Sequence, residues 1–181
     1  MDAEPSTTDR LDHILETWRT SRPEIDFSPF EVGTRVLRAA HFLQARLDRI
    51  AAAYGLSHQG DLDVLTKLDL VGPLTPSELA EDLLLTSGGM TVRLNRLQTA
   101  GLIERQPNPH DGRGVLIYLT PAGKDLAEDA LTNLLQAHTE IVGSLEPSDR
   151  DHLTQLLRTL LTRLGDTPAF SPTIMVKREK R

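Results

Sequence analysis

Cysteine is absent from the 181 residues. That absence excludes disulfide scaffolds, thiolate zinc sites, iron–sulfur clusters, cysteine nucleophiles and thiol redox sensing together. Aromatic residues are scarce, at 4%, while Leu and Ala dominate; this balance suits helix-on-helix packing better than a β-sandwich. No apolar run approaches the roughly 18 residues needed to span a bilayer. The opening MDAEPSTTDR has neither the basic region nor the apolar stretch of a signal peptide. The expectation is a soluble, cytoplasmic chain with no membrane partner. Catalytic signatures are missing as well. The histidines at 13, 41, 58, 110, 138 and 152 show no H-x-x-x-H or H-E-x-x-H spacing, and neither G-x-S-x-G nor a phosphate loop with its lysine occurs. The sequence therefore predicts no enzyme, no catalytic residue, no metal ligand set and no cofactor.

What is present describes a folded chain. Hydrophobic residues make up 39% and charged residues 25%, and the length suits one ordinary domain of about 100–200 residues. The formal net charge is −6, but its distribution is uneven. Residues 1–31 carry eight acids against three bases, whereas residues 86–114 carry four arginines against Glu104 and Asp111. An acidic protein with a locally basic reading surface is compatible with nucleic acid as a partner.

Periodicity places the elements. Leu11, Ile14, Leu15 and Trp18 form one apolar stripe on a short helix. Pro23 breaks it, and Ser28-Pro29 is read as N-cap and first residue of a long helix over about residues 30–54, with Gly55 as its left-handed cap. Along one side of that helix run Val32, Val36, Ala40, Leu43, Leu47 and Ile50. A helix over 61–71 follows, closed by Gly72-Pro73. Thr75-Pro76-Ser77-Glu78 is a capping box with proline at the first helical position, opening a helix to about Leu83. Thr86 or Ser87 caps the next helix, which ends at Gly101. The period then changes: 102–106 and 115–119 read as strands around the turn PNPHDGRG. Thr120-Pro121 caps a long helix carrying Leu126, Ala130, Leu134, His138, Ile141 and Leu145, and Pro147 starts a final leucine-rich helix. The residues after Gly165 read as a loosely held basic tail.

Helix, short turn, helix and hairpin, in that order, make a winged helix-turn-helix: mainly α with a small β-hairpin wing. On the helix over 87–100, Met90, Leu94, Leu97 and Gly101 share one narrow sector and face the core. The opposite sector holds Gly88, Val92, Asn95 and Arg96, flanked by Gly89 and Thr91. Small residues at the N-terminus admit close approach, and the free N–H groups after Thr86 and Ser87 suit phosphate. Asn95 and Arg96 suit base edges or phosphates, and Val92 and Thr91 suit thymine methyl groups. Arg113 at the turn tip suits a minor groove. The bland alternative is a solvated helix face followed by an ordinary turn.

The stretch LTPSELAEDLLLTSGGMTVRLNRLQTAGLIERQPNPHDGRGVLIYLTPAGKDL resembles the MarR family of winged-helix transcription regulators. LTPSELAEDL is similar to the first helix of the family's helix-turn-helix. TVRLNRLQTAGLIER is similar to its recognition helix and first wing strand, and Asp111 with Arg113 fills the D-x-R motif of the wing. The resemblance extends over about residues 30–164. It implies an obligate homodimer joined by the terminal helices, binding a pseudo-palindrome in double-stranded DNA with half-sites about one helical turn apart. The implied organisation is an extension over 1–29 and a MarR-type domain over 30–165, with the tail over 166–181. Within that domain, 61–119 binds DNA and the helices over 30–54 and 121–164 dimerise. Glu146 departs from the family's Ser or Asp cap before the last helix.

The extra N-terminal helix further resembles the urate-responsive branch of the family. That resemblance implies a pocket for a small anionic ligand built from Trp18, Asp63, Arg93 and Arg105, and a repressor whose DNA affinity the ligand lowers. The residues themselves fit this. Arg93 lies beside the core sector, at about 300° when Met90 is zero, away from the DNA sector. Two guanidinium groups suit an anion, and Asp63 is suited to balance one of them in the empty site. Structural readings stand beside it: Trp18 as core, Asp63 with Arg105 as a plain ion pair. The alternatives to the whole are a MarR-type regulator answering to another ligand or none, and a helical interaction module without DNA binding.

Overall fold

The computed structural model describes residues 8–109 and 114–167. Their order is α1 (Arg10–Ser21), α2 (Ser28–Ala53), α3 (Gln59–Val71), α4 (Pro76–Asp82), α5 (Ser87–Thr99), β1 (Ile103–Pro107), β2 (Val115–Leu119), α6 (Pro121–Val142) and α7 (Pro147–Arg163). Seven helices and one antiparallel hairpin make the expected winged-helix fold. The chain divides into two compact units, residues 1–138 and 139–181. Among the described residues no helix is long and apolar enough to cross a membrane.

Two cores organise the first unit. The larger is built from Val64, Leu65 and Leu68 of α3, Leu79 and Ala80 of α4, Met90, Leu94 and Leu97 of α5, the strand residues Ile103 and Ile117, and Ala127 of α6. It therefore contains the three core residues that periodicity assigned to α5. The smaller joins Leu47 and Ala51 of α2, Leu62 of α3, and Ala130, Leu134 and Ala137 of α6. β1 and β2 pair from Ile103↔Leu119 to Pro107↔Val115, and Ile117 makes a further bridge to Leu74 before α4. Gly123 is required where α6 starts, because a Cβ there would lie 1.9 Å from the Leu102 carbonyl oxygen. That contact seats α6 against the strand entry.

Several boundaries differ from the sequence expectation. Ser28 does not cap α2. The N-cap is Phe27, Pro29 sits one position further in, and the Asp26 carboxylate accepts from the Ser28 N–H and hydroxyl at 2.9 and 2.5 Å. α3 begins at Gln59 rather than Asp61, because the His58 ring accepts from the Gly60 N–H. α6 stops at Val142, so Leu145 lies beyond it in the Val142–Leu145 turn. Gly55 does close α2: its φ is 72°, and the N–H groups of Gly55 and Leu56 return to Ala52 and Ala51. The α4 capping box between Thr75 and Glu78 is present as read.

α1 is docked by charge as well as burial. Leu11 and Leu15 are buried, whereas Trp18 stays 39% exposed and packs on Phe27 and Phe30 with centroids 5.9 and 5.1 Å apart. Arg35 of α2 reaches back to Asp9 and Asp12 of the α1 capping box and to Glu31 on its own helix. In the second unit, α7 has Glu146 as N-cap without a side-chain cap bond and no buried residue; Leu156 and Leu164 are 57% and 73% exposed.

Candidate functional site

α5 is entered through a tight turn. Leu84 stands at φ 52° and is 77% exposed, and Thr86 then caps the helix by accepting from the Gly89 N–H at 3.1 Å. Positive φ is costly for a branched side chain, so α4 and α5 fix this corner against local preference. Beyond the cap, Ser87, Gly88, Gly89, Thr91, Val92 and Asn95 are exposed on one side of α5, while Met90, Leu94 and Leu97 are buried on the other. Val92 is 62% exposed. A Cβ at Gly88 would meet nothing within 4 Å, so the N-terminal turn presents bare backbone. Arg113 and Asp111 lie outside the described residues. Beyond the ends of β1 and β2, the Asn108 N–H donates to the Gly114 carbonyl at 2.9 Å.

The arginines on the flank of α5 are held from below. Asp61, 1% exposed, accepts from Arg96 Nε at 3.0 Å and from Arg96 Nη2 at 2.5 Å, and Arg93 Nε stands 3.7 Å away. The carboxylate bonds hold the Arg96 guanidinium above its usual range. Arg93 Nη1 also donates to the Gly60 carbonyl at 2.9 Å, and a Cβ on Gly60 would fall 2.1 Å from that same nitrogen. A glycine and a buried carboxylate in the first turn of α3 thus form the seat for two arginines three residues apart on α5. Arg96, expected to reach base edges or phosphates, has part of its guanidinium committed to Asp61, and 39% of the side chain stays exposed at the edge of the face.

Among the described residues no hydrogen bond or ion pair joins the four residues expected around an anion. Asp63 lies in α3 beside a hydrogen-bonded Gln59. Burial pushes its carboxyl up, opposed by the Gln59 bond and by the charges of Arg93, His58 and His138. Asp63 and Arg93 are therefore electrostatic neighbours. Trp18 belongs to the aromatic cluster with Phe27 and Phe30. Arg105 turns onto α5: its guanidinium donates to Gln98 Oε1 and, at 2.9 Å, to Asn95 Oδ1. The plain ion pair of Asp63 with Arg105 does not form among the described residues.

Sequence reasoning missed Asp61, Gly60 and Gln98. Asp61 and Asp63 are two positions apart on one helix, about 200° around its axis, so only one of them can face α5, and nothing local distinguishes them. Gln98 carried a signal: it stands at i+3 from Asn95 on the exposed side. Among the described residues no group of three or more His, Asp or Glu side chains could hold a metal ion.

Residues 54–114 match the model described as MarR family. The transcriptional regulator PecS of Dickeya dadantii is 29% identical over 147 residues, 80% of this chain and 88% of that protein. The multiple antibiotic resistance protein MarR of Escherichia coli is 33% identical over 129 residues, 68% of this chain and 89% of its own length. A solved mutant MarR from Escherichia coli complexed with operator DNA matches with a TM-score of 0.68 at 27% identity, covering 75% of this chain and 96% of that one.

Proposed function

The chain belongs to the MarR family of transcription regulators, and on that footing we propose that it is a sequence-specific, double-stranded DNA-binding regulator that reads a pseudo-palindrome as a homodimer. The observation that carries this reading is the outer face of α5. It offers bare backbone at Gly88, a side-chain cap at Thr86, and Ser87, Gly89, Thr91, Val92 and Asn95 in the open. Arg96 stands at the edge of that face, and Arg113 of the wing is assigned to the neighbouring minor groove. Residues 61–119 are the DNA-binding part, with 1–29 an extension and 166–181 a tail. The helices within 30–54 and 121–164 are assigned to dimerisation. Leu37 and Phe42 of α2, 73% and 67% exposed, and the exposed leucines of α7 supply apolar surface for a second copy.

Fluorescence polarisation with labelled duplexes selected from a random pool tests this. Expected are saturable binding to a two-fold site with half-sites about 34–36 Å apart and a steep loss of affinity as salt rises, through counterion release. Failure to bind any duplex at low salt sinks the reading.

Asp63 favours a second, finer statement: a repressor relieved by a small anion such as urate. A carboxyl whose burial disfavours its charge, next to the enclosed Arg93, is a place where an arriving anion would compete for that arginine. The resemblance adds Trp18 and Arg105 to this set. Arg105 would have to surrender its bonds to Asn95 and Gln98 to join it. A tenfold loss of DNA affinity needs only about 1.4 kcal/mol of differential binding. Titration with urate, followed by the fluorescence of Trp18, should give saturable quenching that Arg93→Ala removes. An unresponsive wild-type protein removes urate as effector and leaves the DNA-binding reading standing.

A further inference from the structure

Arg105 lies on the first wing strand two residues after the buried Ile103, and its Cα pairs with that of the buried Ile117. Successive strand residues alternate faces, so Arg105 shares the inner face of the hairpin with Ile103. That placement carries its side chain over the last turns of α5 rather than out to solvent. There it meets two amides three residues apart on the exposed side of the helix, donating to Asn95 Oδ1 and Gln98 Oε1.

A guanidinium has five N–H donors and no acceptor. Whatever faces it must therefore be an oxygen, so both amides turn their C=O inwards and their NH2 groups away. Neither NH2 has another partner among the described residues. The outer surface of α5 consequently presents amide donors, with the amide oxygens turned inwards onto the guanidinium. An amide reads adenine bidentately only by accepting from N6–H while donating to N7. Guanine instead offers two neighbouring acceptors, N7 and O6, to which a donor-only surface is matched.

We infer that Arg105 is a specificity-determining residue of the DNA-reading surface, locking Asn95 and Gln98 as hydrogen-bond donors so that they select guanine over adenine. This rests on the proposal that α5 reads DNA. It assigns Arg105 an orienting role distinct from a phosphate contact, and the conservative variant separates the two. Arg105→Lys keeps the charge but replaces the planar fork with a single ammonium point donor.

The test is selection of duplexes from a random pool by the full-length chain, as wild type, Asn95→Ala, Gln98→Ala and Arg105→Lys, with thermal melts to confirm that each folds. Base pairs whose preference disappears in Asn95→Ala or Gln98→Ala are the ones these amides read. Wild type is expected to prefer guanine there. In Arg105→Lys that preference over adenine should fall by about tenfold, the range of one good bidentate contact, while the salt dependence stays near wild type because the charge is kept. Adenine at those positions in the wild type overturns the inference, as does an unchanged guanine preference in Arg105→Lys, which would leave Arg105 only a phosphate cation. Absence of duplex binding by the wild type overturns the DNA reading itself and this inference with it.

Discussion

Replacing Asp61 by Asn tests whether a buried charge decides how α5 sits on α3. In the wild-type protein the Asp61 carboxylate is 1% exposed and takes two hydrogen bonds from Arg96, at 3.0 and 2.5 Å. The amide is nearly the same size. It keeps one acceptor oxygen but turns an NH2 group towards a guanidinium that only donates. One charge-assisted bond is lost, about 1.5–3 kcal/mol, and the other loses its ionic part. Two effects oppose this: a neutral amide is easier to bury than a carboxylate, and the Arg96 side chain, 39% exposed, regains water when released. The expected net loss is about 2 kcal/mol, below the roughly 3–5 kcal/mol of a fully enclosed pair stripped of one partner. Arg96→Ala should cost more, about 3–4 kcal/mol, because it leaves Asp61 buried with only Arg93 Nε at 3.7 Å. Chemical denaturation at fixed protein concentration measures both. Thermal midpoints should fall by about 2–4 °C per kcal/mol for a chain of this size. The double variant should cost less than the sum of the singles, since both remove the same interaction. If each single change lies within about 0.5 kcal/mol of wild type, the ion pair does not hold α5 and the reasoning fails.

Gly123→Ala should destabilise by about 1–3 kcal/mol through overpacking, despite the better helix propensity of alanine, because the new Cβ meets the Leu102 backbone oxygen at 1.9 Å; an unchanged melting midpoint would show that α6 shifts freely. Leu84→Gly should stabilise by about 1 kcal/mol, since Leu84 stands at φ 52° with its side chain 77% exposed; a lowered midpoint would show that this side chain contributes more than its backbone strain takes away. Asp63 has its carboxyl raised by burial, so the folded state holds that proton more tightly than the unfolded chain, and the stability it contributes at low pH is lost as pH rises through the folded value. Asp63→Asn should therefore raise the melting midpoint at neutral pH, with the advantage shrinking as pH falls to about 4; an advantage that grows on acidification contradicts that sign.

Much of the fold was legible because its signals are local. The capping box at Thr75 and Glu78, the left-handed Gly55 and the apolar sector of Met90, Leu94 and Leu97 each depend on residues within a few positions of one another and stand where local pattern placed them, and of the two caps open to α5, Thr86 or Ser87, the structure uses Thr86. The shifts at α2 and α3 came from side chains that cap from outside the apolar pattern, Asp26 and His58. The exposed side of α5 was also legible, since a core-facing sector implies its opposite.

The partners of charged side chains were decided elsewhere. Helical angle put Arg93 beside the core and Arg96 on the opposite, exposed sector, but only the approach of α3 turned Asp61 rather than Asp63 towards them. Trp18, placed on an apolar stripe with Leu11 and Leu15, ends in an aromatic cluster instead of the core because α2 brings Phe27 and Phe30 to it. Arg105, grouped by resemblance with Arg93 and Asp63, is carried by the hairpin to the far side of α5. By itself the sequence determined the order of elements, the caps and the reading face, which local sterics and 100° periodicity dictate. Which carboxylate or amide each arginine meets depends on the crossing of elements far apart in the chain, and a long flexible cation takes whichever acceptor that crossing brings within reach.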